Sequence, residues 1–103
     1  MALFAWTQDV PIDEAAYRDI VSRLPDGALP GCLAHIAIRL PEGNLRYVDV
    51  WESEEACDAA FEQYIHPAVG PVLHERGIQV DGEPPRVLLD VIDFVVPGVV
   101  TPV

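Results

Sequence analysis

Lysine is absent from this 103-residue chain, and its six basic residues, all arginine, face 17 acidic ones, for a formal net charge of −11. With no basic patch to neutralise phosphates, nucleic acid and anionic membrane surfaces are excluded as partners. Cysteine is nearly as scarce: Cys32 and Cys57 fit no zinc or redox spacing, so they read as buried small hydrophobes in a reducing compartment rather than as a disulfide. No apolar run is long enough to span a bilayer, because the longest, 87–100, is broken by Asp90, Asp93 and Pro97. The opening MALFAWTQD has no basic region and no cleavage site, so a secretory leader is not expected and a cytoplasmic location is. Phosphate-binding glycine loops, a dinucleotide fingerprint and a serine nucleophile elbow are missing too. No His, Cys and acidic residues fall at metal-ligand spacing, so neither metal nor cofactor is expected.

What is present is a hydrophobic half of the chain, 50% of residues, enough for one folded domain over 1–103. Period-two alternation predicts a first strand over 3–10, with Phe4, Trp6 and Gln8 on one face. Asp13 is placed to cap a helix in which Tyr17, Ile20, Val21 and Leu24 recur at helical spacing, and Pro25-Asp26-Gly27 ends it. A second strand over 32–40 reverses at Pro41-Glu42-Gly43-Asn44 into a third that ends at Trp51. Ser53, followed by Glu54 and Glu55, caps a second helix whose apolar stripe is Cys57, Ala60, Phe61, Tyr64 and Ile65. Pro67 is expected to break that helix, Pro71 to open a short piece over 72–76, and Gly77 to close it. A fourth strand, 86–96, looks buried on both faces, and an apolar tail follows from about residue 97.

The order βαββαβ is that of an α+β, ferredoxin-like fold: a four-stranded antiparallel sheet with both helices on one face. The other face then carries Val48, Val50 and alternating residues of the second strand. An apolar sheet face with no cover calls for a second copy, giving a homodimer closed sheet to sheet.

A hairpin centred on Gly43-Asn44 puts His35 opposite Trp51, with Asp49 and Tyr47 further along on the same, helix-facing side; a slip of one residue would turn His35 to the other face. An imidazole beside a carboxylate can serve as a general base, so His35 and Asp49 are the candidate catalytic pair. The same residues fit a plain structural duty, His35 bonding a carbonyl and Trp51 filling the core. Asp49 inside an apolar strand needs a partner, and His35, Arg39, Arg46 and Arg86 are available; an Asp–Arg pair is the simpler choice. Tyr17, Tyr47 and Tyr64, with Trp51, Cys57, Phe61 and His66, are candidates to line a space that holds a hydrophobic or aromatic small molecule.

Over Trp51 to Phe61, in the run VDVWESEEACDAAF, the chain resembles the antibiotic-biosynthesis-monooxygenase-like branch of the dimeric α/β-barrel superfamily. The resemblance implies a homodimer with a pocket between sheet and helices in each subunit. It also implies a range of activities: cofactor-independent oxygenases of phenolic polycycles, heme-degrading oxygenases, polyketide cyclases and lactone isomerases, beside proteins with no known activity. Anthrone oxygenases of this kind pair a Trp at the Trp51 position with an Asn and a Tyr where this chain has Tyr47 and Cys57. The heme-degrading branch has an Asn near Gln8 and a helical His near His66. A Tyr, His-Pro, His pattern of the cyclases is echoed by Tyr64, His66 and Pro67, with Val69 in place of the second His. The expectation is therefore an enzyme of secondary metabolism acting on an aromatic or polyketide-like molecule, either a cofactor-free oxygenase or a cyclase/isomerase with His35 as base. The alternative is a non-catalytic dimer that binds a ligand or serves as an accessory protein.

Overall fold

A computed structural model describes residues 2–97; the expected apolar tail lies, beyond Pro97, outside the described residues. The strands β1 (Phe4–Val10), β2 (Cys32–Arg39), β3 (Leu45–Trp51) and β4 (Arg86–Leu89) form one antiparallel sheet in the order β2-β3-β1-β4. Helix α1 (Glu14–Ser22) follows β1, and α2 (Glu54–Ala60) follows β3. A π-helical turn, Phe61–Ile65, joins α2 directly to α3 (His66–Glu75). This is the ferredoxin-like βαββαβ arrangement, with the helices on one face of the sheet.

Both expected caps form. Asp13 accepts from the Ala16 N–H at 2.9 Å and Ser53 from the Ala56 N–H at 3.1 Å, each satisfying a first-turn donor. At the far end, Gly77 (φ +66°) turns the chain so that its N–H reaches the His74 carbonyl and the Ile78 N–H reaches Leu73, at 3.2 and 2.9 Å. That pair of bonds is a Schellman closure, and Ile78 and Leu73 both pack on the same apolar cluster.

Five expectations need correction. The helix does not stop at Pro67, because the π turn changes the hydrogen-bond partner of the preceding residue: the His66 N–H bonds to the Phe61 carbonyl, five residues back. A proline ring pushes against the carbonyl four residues before it, and the widened turn makes room for that at Gln63. Pro71 sits inside α3 rather than opening a new helix; Gly70 ahead of it has no Cβ to clash with the ring. Strand β4 ends at Leu89, not at 96, so Asp90 and Asp93 lie beyond it. Its partner β1 starts at Phe4, and past Leu89 there is no strand left to pair with. β4 is also an edge strand, so Val87, Leu88 and Leu89 are exposed in the single chain instead of buried on both sides.

The last correction concerns register. Leu40 and Asn44 close the hairpin, with Gly43 at φ +101°, and the pairing runs Arg39 to Leu45 and His35 to Asp49. His35 therefore faces Asp49 and not Trp51. Because the shift is two residues, the helix-facing side of His35 is preserved. A bulge between Cys32 and Ala34 then brings Cys32 opposite Trp51.

The core divides in two. Ile12, Ala16, Ile20, Leu45, Ala68 and Val72 form one cluster; Trp6, Trp51, Cys57 and Ala60 form the other. Tyr47 packs against both, and the candidate site is built around it.

Candidate functional site

Strands β2 and β3 set His35 and Asp49 side by side on the helix-facing side of the sheet. The Asp49 carboxylate is 3% exposed and both of its oxygens are engaged. Oδ1 lies 2.6 Å from His35 Nδ1, and Oδ2 accepts from the Trp51 indole N–H at 3.1 Å. None of the arginines reaches it: Arg46 is paired with Asp9, Arg39 with Glu14 and Arg86 with Glu83. The expected Asp–Arg pair is thus replaced by a His–Asp pair.

A carboxylate can only accept, so His35 Nδ1 carries the hydrogen, and in the neutral imidazole Nε2 is left as an acceptor. Tyr17 fills that role from α1, its hydroxyl 2.8 Å from Nε2. The four side chains form one line: the Tyr17 hydroxyl donates to His35, His35 donates to Asp49, and Trp51 donates to the other carboxylate oxygen. Burial pushes the Tyr17 phenol above its ordinary pKa, with the charge of Asp49 adding to it and that of Arg18 opposing it. His35 is the open member, its side chain 35% exposed, because the helices do not cover the edge strand β2.

Beside this line, between the sheet and the helices, lies a mainly apolar cavity of about 470 Å3. Gln8 of β1, Ile20 of α1, Tyr47 of β3, Phe61 and His66 of the α2–α3 helix, and Glu83 and Pro84 of the loop before β4 contribute to its wall, which is open on one side. Tyr47 belongs to both places. It lines the cavity, and its ring centre stands 5.2 Å from that of His35 and 5.8 Å from that of Tyr17. Burial, then the neighbouring Tyr17 and Asp49, hold its phenol well above the usual range.

The candidate residues therefore sort into separate places. Tyr47, Phe61 and His66 line the cavity. Tyr17, His35, Asp49 and Trp51 make the hydrogen-bonded line, and none of them lines the cavity. Trp51, 1% exposed, is packed with Trp6, Cys57 and Ala60. Burial pushes the Cys57 thiol up in pKa, partly offset by the Trp6 indole N–H. Tyr64 lines a different, more open groove with Leu24 and Pro25, while also packing, like Phe61, against the Trp6–Trp51 cluster. Among the described residues, no three His, Cys, Asp or Glu side chains gather as a metal site.

Two participants were not among the candidate site residues. Gln8 is buried, lines the cavity, and ties down its rim by donating to the Pro84 carbonyl at 2.7 Å. A polar residue in phase with Phe4 and Trp6 was the signal for it. Arg86 lays its guanidinium 4.5 Å from the ring centres of both Trp6 and Phe61, a stacking that sequence spacing does not reveal.

No family model matches the chain, and no curated protein matches it. Solved structures do. A candidate antibiotic biosynthesis monooxygenase from Chloroflexus aurantiacus is 16% identical over 94% of this chain and 100% of its own, with a TM-score of 0.61. A second candidate antibiotic biosynthesis monooxygenase, from Caulobacter crescentus, is also 16% identical, with coverage of 89% and 92% and a TM-score of 0.63. The chain has the fold of antibiotic-biosynthesis-monooxygenase-like proteins. A protein of unknown function from Nitrosomonas europaea shares that fold as well, at 20% identity, coverage of 94% and 93%, and a TM-score of 0.57. Among the described residues, no helix is long and apolar enough to cross a membrane.

Proposed function

We propose that this protein is a single-domain, homodimeric, cytoplasmic enzyme of secondary metabolism that acts without a bound cofactor on an aromatic or polyketide-like small molecule. The observation that carries the reading is the double role of Tyr47, which walls an apolar cavity and packs its ring against that of His35, the partner of Asp49. A cavity of about 470 Å3 suits a fused-ring molecule, and its apolar wall favours uncharged ring systems. His35 is the base, oriented by Asp49, and a low-dielectric pocket beside it favours removal of a proton from a phenol or from carbon next to a carbonyl. The fold of the two candidate monooxygenases is compatible with this chemistry and does not by itself define it.

One observation favours binding without turnover: His35 and Asp49 stand behind Tyr47 and outside the cavity wall. The two readings separate in one experiment. Aromatic polyketide intermediates are titrated against the wild type and a His35→Ala variant, with binding followed by tryptophan fluorescence and conversion by chromatography. The enzyme reading expects both proteins to bind and only the wild type to convert. Binding with no conversion by either protein, across the panel, leaves a ligand carrier.

A further inference from the structure

We infer that Tyr17 is the catalytic residue that exchanges the proton with the substrate, with His35 and Asp49 acting through it, and that the substrate is a carbon acid, a molecule with a C–H beside a ring carbonyl. The inference rests on the reading above and names the acting group within it.

It follows from counting free lone pairs. His35 has two ring nitrogens and both are committed, Nδ1 to Asp49 at 2.6 Å and Nε2 to Tyr17 at 2.8 Å. Asp49 is buried with one oxygen on His35 and the other on Trp51. Neither can accept a proton from a substrate while these bonds stand. The Tyr17 oxygen donates its single hydrogen to His35 and keeps lone pairs of its own. Tyr17 does not line the cavity itself but stands next to residues that do. Tyr17 lies one helical turn before Ile20, a cavity residue, and its ring packs 5.8 Å from that of Tyr47.

The step balances without an oxidant. The substrate C–H bond breaks and its proton joins the Tyr17 oxygen, while the hydrogen Tyr17 held passes to His35 Nε2. The electron pair stays on the substrate as an enolate, and the imidazolium so formed is stabilised by Asp49. Returning a proton at another carbon completes an isomerisation. The same enolate can attack a second carbonyl of the same molecule and close a ring. The Trp51 indole, fixed on Asp49, is a positioning residue in this scheme.

The test uses 2-tetralone, a bicyclic ketone with acidic hydrogens beside its carbonyl, in D2O with the full chain. Exchange is followed by proton NMR, and affinity by tryptophan fluorescence. Wild type is expected to accelerate exchange. Tyr17→Phe, which keeps the ring and its packing, should slow it by about 10²–10⁴-fold with affinity unchanged. His35→Gln should slow it similarly, and the double variant no further, as groups acting in series do. A structural readout accompanies these: Tyr17→Phe should move the His35 Nε2 resonance in nitrogen-15 spectra. Wild-type exchange in Tyr17→Phe overturns the inference and leaves the His35 base in place. A ketone that binds without exchanging in the wild type overturns the carbon-acid assignment but not the cavity. If the ketone does not bind, the cavity reading fails and the inference falls with it.

Discussion

Asp49 is a carboxylate taken out of water, and it persists because two charge-assisted hydrogen bonds replace the lost solvent. Its negative charge is felt by its neighbours. Cys32 is the clearest case: burial first, and Asp49 second, push its thiol up to about 11. An unfolded cysteine ionises near ~8.5, so above that pH the unfolded chain loses a proton that the folded chain keeps. The stability tied to Cys32 is therefore complete below the unfolded value and is lost as pH rises toward about 11. Urea unfolding at pH 7 and pH 10.5 checks this. The wild type should lose more stability between the two than Cys32→Ala; equal losses would place the alkaline sensitivity elsewhere, with the Cys57 thiol and the Tyr17 and Tyr47 phenols, all raised, as the remaining sources.

At the scale of elements, the start of α2 depends on one close approach. Gly31, at φ +82°, accepts from the Glu52 N–H at 2.9 Å, and a Cβ on it would come within 2.6 Å of the Ala56 Cβ. Gly31→Ala should cost about 2–4 kcal/mol from the left-handed backbone and the overlap together. Ala56→Gly alone should cost about 1 kcal/mol of helix propensity. Denaturant midpoints of the two single variants and the double decide how the cost divides. A double variant less destabilised than the sum assigns part of it to the clash; strict additivity assigns all of it to the backbone. Elements were legible in the sequence where local chemistry decides them. The Asp13 and Ser53 caps, the Gly77 stop and the helix-facing side of His35 all follow from residues within a few positions. What was not legible depends on the neighbour in space. The end of β4 is set by where β1 begins, and the survival of the helix through Pro67 by a π turn with no sequence mark of its own. The partner of Asp49 was hidden for the same reason, since Glu14, Asp9 and Glu83 each draw away one of the arginines.

For the whole molecule, the open face of the sheet sets the terms. Ala34, Ile36 and Ile38 of β2, Val48 and Val50 of β3, and Val87 and Leu89 of β4 share it, and Ile36 is 53% exposed. Charge does not oppose contact between copies there. The helical surplus of Glu54, Glu55, Asp58 and Glu62 lies on the other side, and on this face Asp9 is neutralised by Arg46 across the β1–β3 pair at 2.6 Å. Area is the limiting quantity. Four strands ~4.8 Å apart and about seven residues long cover roughly 400 Å2 of sheet, about half of the ~800 Å2 per partner that a stable interface buries. The apolar residues just past β4 can supply the remainder, and Ile92, 94% exposed, and Val95 and Val96 are free to do so. A homodimer is thus expected to need both the sheet face and this segment. Sedimentation equilibrium should find the wild type dimeric, Ile36→Glu and Ile92→Glu each weakened, and the double variant monomeric, while Val21→Glu on the outer face of α1 leaves the assembly intact. If Ile92→Glu has no effect and Ile36→Glu alone dissociates the dimer, the sheet face is sufficient and the segment after β4 serves another purpose. A wild type that sediments as a monomer removes the dimer.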